Sequence, residues 1–227
     1  MIKAVIFDMY ETLITHYQTP LYFSHAMAKD MNIPVSDFLA YWRPSASLRT
    51  RGELSLEDIL KMIVQENNLD ETIIPEIVKK RKETKIDCFK HLHPEIIPML
   101  EELKKRGIKI GLITNCFSEE AEVIKKSILY PYFDVPILSY DVHLEKPDPA
   151  IFYLCLNQLG VKEEECLYIG DGGSHELEAS TNLGMKAKQC IWYFDLPDHP
   201  GKINSQFEQI SSPLDVLNEL NQVEIFK

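Results

Sequence analysis

The chain has 227 residues, of which 45% are hydrophobic and 26% charged, and a formal net charge of −11. That balance suits a soluble globular protein with one large domain, or a core domain and a smaller companion. It argues against nucleic acid or an anionic membrane as partner, though a locally positive pocket can still hold a small phosphate. No apolar run approaches the ~18 residues of a membrane span. The stretch Ala4 to Phe7 is short and ends in Asp8, unlike a signal peptide. Cys88, Cys116, Cys155, Cys166 and Cys190 show no paired metal spacing. An odd count without a secretion signal fits reduced thiols and a cytoplasmic setting.

The first predicted element is a strand, Ile2 to Phe7. A helical stretch follows from about Pro20 to Lys85, broken at Asn32-Ile33-Pro34, Arg51-Gly52 and Asn67-Asn68. Thr19-Pro20 has the form of a cap with proline at the first helical position. Ser55 to Asp58 reads as a capping box opening the helix that carries Ile59, Leu60, Ile63 and Val64. After His93-Pro94 the rhythm changes. A helix over about Glu95 to Arg106 ends at Gly107 and leads into a strand, Ile108 to Ile113, that stops at Thr114-Asn115. A helix from Ser118 precedes a strand, Val135 to Ser139. Another helix runs from Asp148 to Gly160 and leads to the strand Cys166 to Ile169, which stops at Gly170-Asp171. A helix ending near Gly184, a strand Ala187 to Tyr193 and a last helix, Leu214 to Gln222, complete the chain.

Alternating strands and helices predict an α/β fold, a Rossmann-like doubly wound parallel sheet. The helical stretch has no strand to add, so it reads as an inserted cap domain over 16–89, with 1–15 and 90–227 forming the core.

In open parallel sheets ligands sit beyond the C-terminal strand ends. Asp8, Thr114-Asn115, the segment Glu145-Lys146-Pro147-Asp148, and Asp171 with Glu176 all fall on that edge. This set suits phosphoryl transfer through a covalent carboxyl-phosphate. Asp8 and Asp171 repel unless a cation lies between them, and oxygen ligands suit Mg2+. The Lys146 ammonium can neutralise the nucleophile and the phosphate, while the Thr114 hydroxyl can bind phosphate oxygens.

Asp8-Met9-Tyr10-Glu11-Thr12-Leu13, Thr114-Asn115, Lys146-Pro147-Asp148 and Gly170-Asp171 with Glu176 resemble, in order and spacing, the four motifs of the haloacid dehalogenase-like hydrolase superfamily. The likeness spans nearly the whole chain. It implies Asp8 as nucleophile, Thr114 as phosphate ligand and Lys146 as charge balancer. It also implies Asp171 with Glu176 as the metal-binding acids, and the backbone carbonyl of Tyr10 as a further metal ligand. Asn115 and the Tyr10 side chain stand with Thr114 as candidate substrate contacts.

One position departs from the pattern. Phosphatases of that superfamily carry a second Asp where this chain has Tyr10. Tyrosine, with an ordinary pKa of about 10, is a poor base at neutral pH. The superfamily's 2-haloacid dehalogenases do carry tyrosine there and need no metal. They generally have Ser and Asn in the fourth motif, however, where this chain has Gly-Asp-Gly-Gly. Glu11, in the place of a glycine, is a candidate replacement for the missing acid but reads first as a solvated loop residue, because adjacent side chains on an extended segment diverge. His16, His25, His91, His93, His143 and His175 show no ligand spacing. His175 reads as a solvated helix end, and Arg43, Arg49 or Arg51 is a candidate anion contact from the cap.

The leading expectation is a Mg2+-dependent hydrolase acting on a small phosphorylated metabolite. A metal-independent 2-haloacid dehalogenase and a weakly active phosphate-ligand-binding protein are the rivals. The sequence leaves the oligomeric state open.

Overall fold

The computed structural model describes residues 1–221. Six parallel strands form one sheet in the order β3-β2-β1-β4-β5-β6. They are β1 (Ala4–Phe7), β2 (Lys109–Thr114), β3 (Val135–Leu138), β4 (Cys166–Gly170), β5 (Lys186–Cys190) and β6 (Gln209–Ile210). The order runs outwards from β1 in both directions, so the chain changes direction of winding between β1 and β4. A crevice opens at such a switch point, and ligands bind there.

The period of two along β1 separates two cores. Val5 and Phe7 join a cluster with α6 (Ile96–Lys105) and α7 (Ser118–Lys125), whereas Ala4 and Ile6 join one with α9 (Pro149–Leu159) and α10 (Glu176–Asn182). Buried on both faces, β1 reads as an unbroken apolar run rather than an alternating one. Asp148 caps α9 by accepting from the Ala150 amide at 2.9 Å, with Pro149 in the first turn.

Between β1 and α6 lie five helices: α1 (Ser24–Asp30), α2 (Val35–Trp42), α3 (Ala46–Thr50), α4 (Leu56–Glu66) and α5 (Ile73–Cys88). They enclose a third apolar cluster that includes Met27, Phe38, Leu60, Ile63 and Ile77. The Ser55–Asp58 capping box is present in both directions. The expected cap at Thr19-Pro20 is not. The Thr19 hydroxyl donates to the His16 carbonyl at 3.0 Å and closes a turn, and α1 starts later, at Ser24.

Other boundaries shift where tertiary pairing overrides local pattern. The fifth strand ends at Cys190, because the chain turns on the Phe194 amide to Ile191 carbonyl bond (3.0 Å). Ser139 opens α8 (Ser139–Val142) rather than closing β3. The last helix is 3-10, Pro213–Asn221; its expected last residue, Gln222, lies outside the described residues. No described helix is long and apolar enough to cross a membrane.

Candidate active site

The sheet order brings the first and fourth motifs side by side. The Asp8 amide donates to the Ile169 carbonyl at 3.0 Å, extending the β1–β4 ladder by one rung, so Asp8 leaves β1 beside the start of the turn that carries Asp171. That turn folds back sharply. Gly172, Ser174 and His175 all have left-handed φ, a conformation that side chains seldom adopt. The Gly173 amide donates to Asp171 Oδ1 (2.9 Å), and Gln189 Nε2 holds the Asp171 carbonyl (2.8 Å). His175 is exposed, as expected of a helix end.

The fold-back drops Glu176 under the end of β4. A Cβ on Gly170 would stand 1.9 Å from Glu176 Oε1, so a side chain there would displace the Glu176 carboxylate. Glu176 is fully buried and ion-paired to Lys146, whose ammonium also meets Asp8 Oδ1 at 2.7 Å. The Tyr168 hydroxyl donates to Glu176 Oε2 at 3.0 Å and lies 3.4 Å from Lys146 Nζ. Carboxylate oxygens of Asp8, Asp171 and Glu176 gather within 4.8 Å of one another.

Three acids around one lysine set the electrostatics. Burial, then Asp8, pushes Asp171 up to about 6. Burial, then Asp8, pushes Glu176 up to about 8, against the pull of Lys146. Burial would lower Lys146, but Asp8 and Glu176 outweigh it and hold the ammonium charged. The cluster carries more negative charge than its lysine can balance. An all-oxygen set of this kind fits a hard divalent cation such as Mg2+.

A model of the haloacid dehalogenase-like hydrolase family matches residues 2–184. The chain belongs to that family. The pyrophosphatase PpaX of Bacillus cereus (strain AH820) is 28% identical over 162 residues, which cover 69% of this chain and 74% of that protein. A HAD phosphatase from Thermococcus onnurineus superposes with a TM-score of 0.65 at 22% identity, covering 97% of this chain and 98% of that one. A 2-haloacid dehalogenase from Pseudomonas syringae pv. Tomato DC3000 gives the same TM-score, 0.65, at 21% identity, with 97% and 98% covered. The two structures share the fold with this hydrolase and do not choose between its chemistries.

The remaining motif residues of the hydrolase occupy distinct places. Thr114 ends β2 fully buried, its hydroxyl 3.5 Å from the Asn115 carbonyl. Asn115, a candidate substrate contact, directs its side-chain amide to the neighbouring loops. Its Oδ1 accepts from the Lys146 amide (2.8 Å), and its Nδ2 donates to the Lys146 carbonyl (3.0 Å) and to Ser174 Oγ (3.3 Å). The side chain therefore staples the loops of the second, third and fourth motifs together.

Tyr10 stacks on the His16 ring at 4.6 Å between centroids, and its buried hydroxyl has no partner. Burial, then Glu120, raises its pKa far above the ordinary value, so the phenol is no base.

Glu11 corrects the expectation of a solvated loop residue. Its side chain is 12% exposed and accepts from Thr15 Oγ1 (2.5 Å) and the His16 amide (3.1 Å). Its carboxylate also meets His16 Nδ1 at 2.8 Å and His199 Nε2 at 3.1 Å. The backbone at Glu11 is left-handed (φ +57°), not extended, so the alternation argument does not apply. Burial opposes ionisation, but His16 and Thr15 outweigh it and lower the Glu11 pKa.

Sequence reasoning missed Tyr168 and His199. Tyr168 looks like one more apolar strand residue, and only the fold-back of Glu176 gives its hydroxyl a partner. His199 belongs to a distant loop that returns over Glu11.

Proposed function

We propose that this hydrolase is a Mg2+-dependent phosphatase acting on a small phosphorylated metabolite in a cytoplasmic setting. The observation that carries the reading is the gathering of Asp8, Asp171 and Glu176 oxygens within 4.8 Å of one another, with Lys146 paired to Asp8 and Glu176. A dehalogenase nucleophile attacking an anionic haloacid without a metal gains nothing from two further acids. Phosphatase-named relatives support the same choice. In this reading residues 1–15 and 90–227 form the catalytic core and 16–89 the cap.

Asp8, Asp171, Glu176 and the Tyr10 carbonyl would hold the ion, which neutralises the acids and the phosphate oxygens. Lys146 fixes Asp8 and balances its charge, and Thr114 binds the phosphate. An Asp8 carboxylate oxygen forms a bond to phosphorus as the bond to the leaving oxygen breaks, and the electron pair departs with that oxygen. Water then cleaves the phosphoaspartate, giving orthophosphate, a proton and free Asp8. Without an acid at position 10, leaving groups that depart as stable anions react best.

The test is a panel of aryl, acyl and alkyl phosphates and 2-chloropropionate, each with Mg2+ and with EDTA. It is run on the wild type, Asp8→Asn and Tyr10→Asp. The reading expects EDTA-sensitive phosphate release that favours aryl and acyl phosphates, and its loss in Asp8→Asn by roughly a thousandfold or more. Tyr10→Asp should gain alkyl-phosphate hydrolysis. Chloride release that survives EDTA would establish the dehalogenase instead. Turnover equal in wild type and Asp8→Asn would leave a phosphate-binding protein.

A further inference from the structure

The loop between β5 and β6 is largely exposed, with Asp195, Pro197, Asp198 and Lys202 open to solvent. The His199 imidazole is the contrast. It is 0% exposed, and its ring centroid lies 4.9 Å from that of Tyr17 and 5.0 Å from that of Phe194. The Gly201 amide donates to Nδ1 at 3.0 Å, so Nε2 carries the hydrogen and donates it to Glu11 Oε2 at 3.1 Å. Only a glycine leaves the ring this place. A Cβ on Gly201 would stand 2.6 Å from Phe194 Cε1 and 2.7 Å from His199 Nδ1.

The same loop reaches both turns that carry the acids. Trp192 Nε1 donates to the Thr12 carbonyl at 2.8 Å, beside the His199 contact with Glu11. The buried Gln189 side chain, at the end of β5, serves the other turn. Its Nε2 donates to the Asp171 carbonyl and to the Lys202 carbonyl, each at 2.8 Å, and its Oε1 accepts from the Asn204 amide at 2.8 Å. Glu11 is also anchored from behind. Its Oε1 meets His16 Nδ1 at 2.8 Å, and His16 Nε2 meets Lys85 Nζ at 2.6 Å. Lys85 lies in the buried seam between the inserted helices and the core, where Arg81 and Lys85 on α5 pair with Glu119 and Glu120 on α7.

The bridge works against a repulsion. Among the described residues Lys146 pairs with Asp8 and Glu176, and Asp171 has no ion pair of its own. The β1–β4 ladder ends at the Asp8 amide, and beyond that rung the loop joins the two turns. We infer that the β5–β6 loop is a strap that sets the spacing of the Asp8 and Asp171 turns for the ion, with His199 and Gln189 as its positioning residues. The inference rests on the Mg2+ reading of the site. Coupling of this kind is reciprocal, so the ion must also tighten the strap.

Mg2+ calorimetry and hydrogen exchange without substrate test it. His199→Leu removes the donor to Glu11 and should weaken Mg2+ binding by about tenfold or more. His199→Gln, whose side-chain amide can reach Glu11 as Nε2 does, should stay within about threefold of the wild type. Ser55→Ala, which removes the α4 capping box, is the control for lost stability alone and should bind Mg2+ as the wild type does. Exchange at the Asn204 amide should slow on adding Mg2+ to the wild type and not to His199→Leu. If His199→Leu does not fold, Gly201→Ala decides, because its methyl crowds the imidazole and should weaken Mg2+ in the same direction. An unchanged affinity in the folded variant, no rescue by His199→Gln, or Asn204 exchange that ignores Mg2+ in the wild type overturns this inference alone. Failure of the wild type to bind Mg2+ overturns it together with the reading it rests on.

Discussion

Asp171 illustrates how a single residue records the charge problem of the site. Its carboxyl is held up to about 6, first by burial and then by Asp8, against an ordinary value of 3.8. A raised carboxyl pKa means that the folded, metal-free protein keeps a proton that the unfolded chain has already lost. That contribution is complete below the unfolded value and disappears as pH rises through about 6. Urea unfolding without metal should therefore show wild type losing stability relative to Asp171→Asn between pH 4 and pH 7, by about 3 kcal/mol. Mg2+ should restore the wild type and leave the variant unmoved. A second residue-scale prediction concerns Tyr168. Tyr168→Phe keeps the ring that packs 5.7 Å from Phe152 but removes the donor to Glu176. Partners that orient a metal ligand typically change affinity about 10- to 100-fold when lost. A Mg2+ titration should show a weakening of that order, and an unchanged affinity would dismiss the role. Asp8 and Asp171 were legible just past strand ends, and Lys146 and Glu176 in the connections that follow strands. Tyr168 was not, because a buried hydroxyl reads as apolar until its partner is known.

At the scale of elements, pattern reading succeeded where the chemistry is local. The Ser55–Asp58 box depends on residues three apart, and the β1 core run depends on burial on both faces. It failed where a distant segment decides. The strand Lys186–Cys190 ends where the chain turns back, and Thr19 serves a turn instead of a helix. The Glu11 backbone turns left-handed because its carboxylate is gathered by Thr15, His16 and His199, a loop no local signal announces. The β4–α10 connection is the element most exposed to a small change. Gly170→Ala forces a methyl against the Glu176 carboxylate, so that carboxylate must move from its place. Strain of this kind costs about 1–3 kcal/mol. Thermal melts should show that loss, and Mg2+ should raise the midpoint less than in the wild type, because the Glu176 carboxylate is pushed from its place beside Asp8 and Lys146.

Over the whole molecule, order along the chain revealed the architecture. Strands alternating with helices, broken once by a helical stretch, gave the doubly wound sheet and its insertion. How the insertion is fastened stayed hidden, since Arg81 and Lys85 on one side and Glu119 and Glu120 on the other look like ordinary helix-surface charges. Their pairing exists only after both parts have folded. Removing one partner leaves charge uncompensated in the interior, which costs about 3–5 kcal/mol. Glu120→Gln, which strips a carboxylate from both Arg81 and Lys85, should lower the chemical stability by that amount. A loss below about 1 kcal/mol would show the seam to be wet.

The Asp8 amide, the last rung between β1 and β4, has a consequence for how the protein responds to its ion. Asp8 and Asp171 follow adjacent strands, so a divalent ion held by both is a clasp between the two ends of a loop that contains most of the chain. Binding of that kind adds to stability in proportion to the logarithm of free ion once the site is filled. The sheet would then report on the ion directly. Hydrogen exchange at the Asp8 amide should slow as Mg2+ is added, before any substrate arrives, while amides at the far edge, in β6, follow only the global change.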